Sequence, residues 1–212
     1  QPSRPQLVSA GCVRALVTLC DQSRDSQVLG DAAQALVNLA VDEGSRPRIV
    51  EDGAVLPLVV LCSTSHDATV LGFCAGALAN LALHEASRLP IVQQGAVRPL
   101  IELCSSAQEP KLLRYATAAL VNLALDNDAR QQMVQESCVP PLVRLCSTSQ
   151  DTIVLGNASQ ALRNLARHQS TRARMIVDGA AGTLVQLCSR SLANRVFSNA
   201  AEALVNLCLH QE

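Results

Sequence analysis

Five asparagines stand at intervals of 42 residues: Asn38, Asn80, Asn122, Asn164 and Asn206. An amide side chain carries two N–H donors and a carbonyl acceptor on one flat group. A row of amides can therefore hydrogen-bond a partner but has no nucleophile with which to cleave one. Asparagine is not favoured in a helix interior, so five in register need a reason. Two reasons are open: the row meets a ligand, or each amide ties one unit of the chain to the next.

Other reactive side chains point away from chemistry. Five of the nine cysteines, Cys20, Cys62, Cys104, Cys146 and Cys188, repeat at the same interval, each after a leucine. Neighbouring packed helices lie about 10 Å apart, whereas a disulfide needs α-carbons within about 7 Å. These five are expected to be small core hydrophobes in a reducing compartment, cytoplasm or nucleus. Cys12, Cys74, Cys138 and Cys208 read as outside the period. Cys138, beside Ser137 where other units have glycine, is the expected exposed thiol. No C-x-x-C pair marks a zinc site. His84, His168 and His210 share a register where a helix ends, and a cation is favourable there; His66 stands apart. No H-E-x-x-H, phosphate-binding glycine loop or G-x-S-x-G occurs, so neither catalysis nor a cofactor is expected. Asn157-Ala-Ser159 is a glycosylation sequon that a reducing compartment would leave idle.

Composition narrows the class. The chain has 212 residues, 49% of them hydrophobic, but only three aromatic rings: Phe73, Tyr115 and Phe197. A core of Leu, Val and Ala is thin and layered, as between packed helices. A net charge of −1 argues against nucleic acid, whose phosphates demand a basic excess. No run of about 18 apolar residues spans a membrane. The start, Gln1-Pro-Ser-Arg-Pro, has no signal-peptide pattern and reads as a cut end.

The elements that position the asparagines follow from the repeat. Ala-Leu pairs precede each asparagine, at Ala35-Leu36, Ala77-Leu78, Ala119-Leu120, Ala161-Leu162 and Ala203-Leu204, and Arg4, Arg46, Arg88, Arg130 and Arg172 hold the same period. The single domain, 1–212, divides into units 3–44, 45–86, 87–128, 129–170 and 171–212. In the second unit Ser45 is read as an N-cap and Pro47 as first turn. A short helix reaches about Asp52 and Gly53 breaks it. A second helix covers about 54–62, and Ser65 caps a third over about 66–83, with Asp67 complementing its N-terminal dipole. Val70, Leu71, Cys74, Ala77, Leu78 and Leu81 follow helical spacing. No unit buries its stripe alone, so the units must stack.

The phrases Ala-Leu-Val-Asn-Leu-Ala and Asp-Gly-Ala-Val-x-Pro-Leu-Val-x-Leu-Cys, with the 42-residue period, resemble armadillo repeats, the family of β-catenin and importin-α, over essentially the whole chain. The resemblance implies an all-α, right-handed superhelical solenoid of five three-helix repeats. It implies that third helices line a concave groove, where Asn38, Asn80, Asn122, Asn164 and Asn206 bond the backbone of an extended peptide.

Specificity would come from neighbours three, four and seven residues away. Four before each asparagine stand Gln34, Gly76, Ala118, Gln160 and Glu202. Importin-α carries tryptophan there; this chain has none, which disfavours an import-signal ligand. Seven before stand Asp31, Phe73, Tyr115, Asn157 and Asn199. Phe73 and Tyr115 form an apolar subsite or pad adjacent helices. Net charge by unit runs −2, −2, 0, +2 and +1. Arg114, Arg163 and Arg167 either meet an acidic or phosphorylated segment or are ordinary solvated arginines. The leading expectation is a scaffold for a protein or peptide ligand. The alternatives are a self-associating module that stacks through exposed terminal repeats, and the substrate-recognition part of a larger protein such as a ubiquitin ligase.

Overall fold

The computed structural model describes residues 3–190 and 194–209. Among these, every regular element is helical, and the helices come in threes. The triplets are α1 (Arg4–Ser9), α2 (Cys12–Gln22) and α3 (Ser26–Ala40); α4 (Arg46–Glu51), α5 (Val55–Thr64) and α6 (Ala68–Leu81); α7 (Glu85–Gln93), α8 (Val97–Ser106) and α9 (Pro110–Leu123); α10 (Asn127–Gln135), α11 (Val139–Thr148) and α12 (Thr152–Ala166); and α13 (Gln169–Val177), α14 (Ala180–Ser189) and α15 (Asn194–Cys208). A 3-10 turn, Glu43–Ser45, joins the first triplet to the second.

Each corner has a local cause. The turn after each first helix uses a left-handed residue: Gly11, Gly53, Gly95 and Gly179, with φ between +84° and +87°. Only a residue without Cβ adopts this at no steric cost. Ser137 takes the same turn with φ +63°. Its neighbour's bond, Cys138 N–H to the Met133 carbonyl at 3.2 Å, matches Ala54 to Ile49 at 3.3 Å. The 6→1 pattern is a Schellman-type stop that satisfies an orphan carbonyl. Three of the third helices start at aspartate. Asp25, Asp67 and Asp151 accept from the second and third N–H groups of α3, α6 and α12.

Two sequence expectations are corrected here. Asp67, not Ser65, is the side chain that caps α6; Ser65 accepts from the Asp67 N–H instead. Likewise Ser45 caps nothing: its N–H and hydroxyl both donate to Asp42, whose carboxylate caps the 3-10 turn.

Stacking buries the same positions in successive layers. Leu36, Leu78, Leu120 and Leu162 are fully buried in one register, and Leu58, Leu100, Leu142 and Leu184 in another. Each such leucine contributes about 1.5–3 kcal/mol by leaving water. The third helices α3, α6, α9, α12 and α15 pack in order and make the most intimate row; α2, α5, α8, α11 and α14 form a second, looser row. No helix among the described residues is long and apolar enough to cross a membrane.

The cysteines follow this layering. Cys20, Cys62, Cys104 and Cys146 are buried, and Cys188 is half-buried. Cys138 is not the exposed thiol: it has no accessible surface. The reason is its register, since it occupies the slot of Ala54, Ala96 and Ala180, all fully buried. Burial pushes the Cys20 thiol up to about 11 and those of Cys104 and Cys146 up to about 12. The exposed thiol among the described residues is Cys208.

Candidate functional site

The asparagine row lies on the third helices and is partly committed. Asn80 Nδ2 donates to the Val37 carbonyl at 3.3 Å, Asn122 to Ala79 at 2.9 Å, and Asn164 to Val121 at 3.3 Å. Each bond crosses from one third helix to the preceding one, 43 residues back. A primary amide has two N–H groups, so one remains, with Oδ1, for another partner. Asn38 is exposed, while Asn80, Asn122 and Asn206 are half-buried. Asn164 has no exposed surface, and Arg163 Nη2 lies 3.5 Å from its Oδ1. A ligand reaches that amide only after its neighbours move.

A second amide row was not foreseen. Asn157 and Asn199, expected as specificity positions, are buried at 8% and 3% exposure. Asn157 Nδ2 donates to the Arg114 carbonyl and to Thr117 Oγ1; Asn199 Nδ2 donates to the Gly156 carbonyl and to Ser159 Oγ. These two tie repeats together. Their signal is in the sequence: each sits 40 residues after a hydroxyl, Thr117 or Ser159, whereas Phe73 and Tyr115 follow Ala33 and Ala75 at that spacing.

Phe73 and Tyr115 come together. They line a pocket of about 200 Å³ with Ala68, Thr69, Gly72, Glu109, Lys111 and Leu112. The Tyr115 ring lies over Gly76, where an added Cβ would meet ring carbons at 3.5 and 3.6 Å. Lys111 Nζ sits 5.7 Å from the Phe73 ring centroid, within cation–π range. The rings thus both pack against a neighbouring helix and wall an open pocket.

The charged positions divide. Arg114 is not free: its Nη2 lies 2.7 Å and its Nε 2.9 Å from Asp151 Oδ2, at the start of α12. That hydrogen-bonded guanidinium, with the Val154 and Ile153 N–H groups, holds the Asp151 carboxyl below its ordinary range. Arg163 Nη1 is 3.5 Å from Glu202, which also accepts from Ser198. Arg167 is exposed. Asp31 accepts from Gln27 at 3.0 Å, and Gln34 is exposed beside it. Gln160 accepts from Arg195 Nη2 at 2.6 Å, and the same Nη2 reaches Asn157 Oδ1 at 3.2 Å. Arg195 was not among the expected positions, although it stands eleven before Asn206 on the same helix face. Arg163, Arg167, Ala201, Glu202, Val205 and Asn206 line an open cleft of about 510 Å³.

A family model for the Armadillo/beta-catenin-like repeat matches residues 1–41, 85–125 and 126–167. The chain belongs to the armadillo repeat family. Among solved structures it is similar to an engineered protein from the Northeast Structural Genomics Consortium, at 34% identity and TM-score 0.89 over 97% of this chain and 83% of that one. It is also similar to a designed armadillo repeat protein in complex with the peptide (KR)4, at 26% identity and TM-score 0.87 over 96% and 85%. A third likeness, at 28% identity and TM-score 0.87 over 96% and 85%, is to computationally designed armadillo repeat proteins for modular peptide recognition. No curated protein matches in sequence.

Within this armadillo stack the periodic arginines have a structural task. Arg46, Arg88, Arg130 and Arg172 each donate from Nε to a third-helix carbonyl six residues back: Ala40, Ala82, Ala124 and Ala166. Their Nη2 groups donate one residue further on. A cation there satisfies orphan carbonyls and complements the helix dipole. The histidines expected at the same helix ends also meet the helix that follows. His84 and His168 precede α7 and α13, with Nδ1 2.8 Å from Ser87 and Ser170 hydroxyls respectively. His210 lies outside the described residues.

Proposed function

We propose that the chain is a binding scaffold whose row of third helices forms a groove for an extended peptide segment of a protein partner. The observation that carries this reading is the state of Asn80 and Asn122. Each spends one N–H on the preceding helix and stays half-exposed, so its remaining N–H and Oδ1 can meet a peptide carbonyl and amide. The inter-repeat bond holds the amide in place before a ligand arrives, which lowers the entropy cost of binding. The likeness to designed armadillo proteins for modular peptide recognition, one of them in complex with a peptide, supports the same reading.

A peptide-library screen of the wild type against Asn80→Ala with Asn122→Ala tests it. The double variant should lose most selected peptides while an Asn164→Ala control keeps them. Undiminished binding by the double variant would make the row purely structural.

A second reading, self-association, has one observation behind it. On α15, Phe197 and Val205 are 50% and 62% exposed, whereas their counterparts one repeat earlier or two, Leu155 and Val121, are 4% and 5%. The surface that inner repeats cover is open there. Light scattering across concentration tests it: a mass that never exceeds one chain removes this reading.

A further inference from the structure

The groove flank changes chemistry along its length, and we propose that its ligand carries an apolar side chain and an oxyanion side chain about seven extended residues apart. This deepens the peptide-groove reading and rests on it.

The third helices share one stripe, at positions eleven, seven and four before the asparagine, the asparagine itself, and three after it; these spacings keep residues on one helix face. On it Asn157, Asn164 and Asn199 are buried, and the charged members Lys111, Arg167 and Arg195 are exposed. In the second and third repeats the stripe reads Thr69, Phe73, Gly76, Asn80, Leu83 and Lys111, Tyr115, Ala118, Asn122, Leu125. It is mostly apolar and holds the pocket between Phe73 and Tyr115. One leucine- or phenylalanine-sized side chain suits that volume of about 200 Å³.

In the fourth and fifth repeats the same face turns basic. Arg167 and Arg195 stand on the stripe and Arg163 at its edge. Arg195 is bonded to two neutral amides, of Asn157 and Gln160, neither of which compensates its charge. Glu202 is the one carboxylate lining the cleft, and its contact with Arg163 is a single bond of 3.5 Å with the glutamate side chain 57% exposed. An exposed pair of that kind holds weakly. An incoming carboxylate or phosphate can take Arg163 and Arg167 together by charge-assisted bonds, with the half-buried amide of Asn206 beside them.

The spacing follows from geometry. The two sites are two repeat steps apart, about 20 Å at helix-packing distance. They are offset by about eight residues along the helix axis, about 12 Å. The diagonal is about 23 Å, and an extended chain covers that in about seven residues.

The test is fluorescence anisotropy with labelled Ser/Gly/Gln peptides holding one leucine and one phosphoserine three, seven or eleven residues apart, made in both orders. Parallel sets carry glutamate or serine in place of phosphoserine. The seven-residue spacing in one order should bind at least tenfold tighter than the others. Arg163→Gln with Arg167→Gln should erase the advantage over the serine set, and Phe73→Ser should erase the contribution of leucine. Equal affinity of the glutamate and phosphoserine sets would identify a carboxylate ligand; a phosphoserine-only gain would identify a phosphorylated one. Binding that is lost in Asn80→Ala with Asn122→Ala yet indifferent to spacing and charge would overturn the two-point ligand and leave the groove standing. Binding by no peptide, together with an empty library screen, would overturn both.

Discussion

Asn122 Nδ2 donates to the Ala79 carbonyl at 2.9 Å, across the junction of two third helices. Position 79 is one residue before Asn80, whose own amide reaches back to Val37 at 3.3 Å. Asn80 and Asn122 are thus successive links, each tied to the helix before it and each presenting its remaining polar atoms to the flank. Structural support and ligand contact are two uses of one side chain, and they separate only where burial differs.

That separation is testable by stability. Asn164 is enclosed, so Asn164→Ala removes a buried bond and should cost about 1–3 kcal/mol. For a chain of this size that lowers Tm by roughly 2–4 °C per kcal/mol. Asn38 is exposed, and there is no preceding third helix among the described residues for it to reach. Asn38→Ala should leave Tm unchanged within about a degree. Thermal melts of the two variants check both.

Ser137 holds a left-handed backbone at φ +63° where the other repeats use glycine. A side chain there costs about 1 kcal/mol of steric strain. Ser137→Gly should therefore stabilise the chain, raising the urea midpoint by an amount equivalent to about 0.5–1 kcal/mol. A lowered midpoint would show that the serine hydroxyl supports the turn in some other way.

Thiol reactivity should follow depth in the stack, where the exposed and half-buried thiols belong to the first and last repeats and those of the inner repeats are buried. Cys208 is exposed and Cys12 and Cys188 are half-buried, so these three should react with a maleimide first. Cys104, Cys138 and Cys146 are buried with their thiols pushed up by desolvation, and should stay unmodified until the chain unfolds. Cys74 belongs with them: the neighbouring Cys62 and burial together push its thiol well above the ordinary range. Peptide mapping of a native labelling time course reads this directly.

Much of the fold was legible because the period is a property of local sequence. The 42-residue interval, the three helices per repeat and the glycine stop after the first helix all follow from residues within one repeat. What escaped are contacts between repeats. Arg114 with Asp151, Asn157 with Thr117 and Arg195 with Gln160 join residues 35 to 40 apart, a distance that no helical pattern encodes. Cys138 was misjudged for a related reason. Its sequence neighbour Ser137 looked irregular, but its depth is set by the slot it shares with Ala54, Ala96 and Ala180.

The Arg114–Asp151 pair also sets a pH dependence. The Asp151 carboxyl is held below its ordinary range, so its stabilising effect is complete above the unfolded carboxylate pKa of about 4. It is lost as pH falls through the lower folded value. Tm should be flat in this respect from pH 7 to about 5 and fall below about pH 4. Asp151→Asn keeps a capping oxygen but not the charge. It should lower Tm slightly at pH 7 and show a smaller fall in acid; an identical acid fall in both proteins would assign the effect to other carboxylates.

The central claim is that a peptide lies across the third helices and touches their free amides. It is tested most directly by following side-chain NH₂ resonances in ¹⁵N-labelled protein while a bound peptide from the library screen is titrated in. The account predicts saturable shifts at Asn80 and Asn122, with Asn157 and Asn199 unmoved. Saturable binding that leaves Asn80 and Asn122 untouched and perturbs only residues of the first or second helices would contradict it.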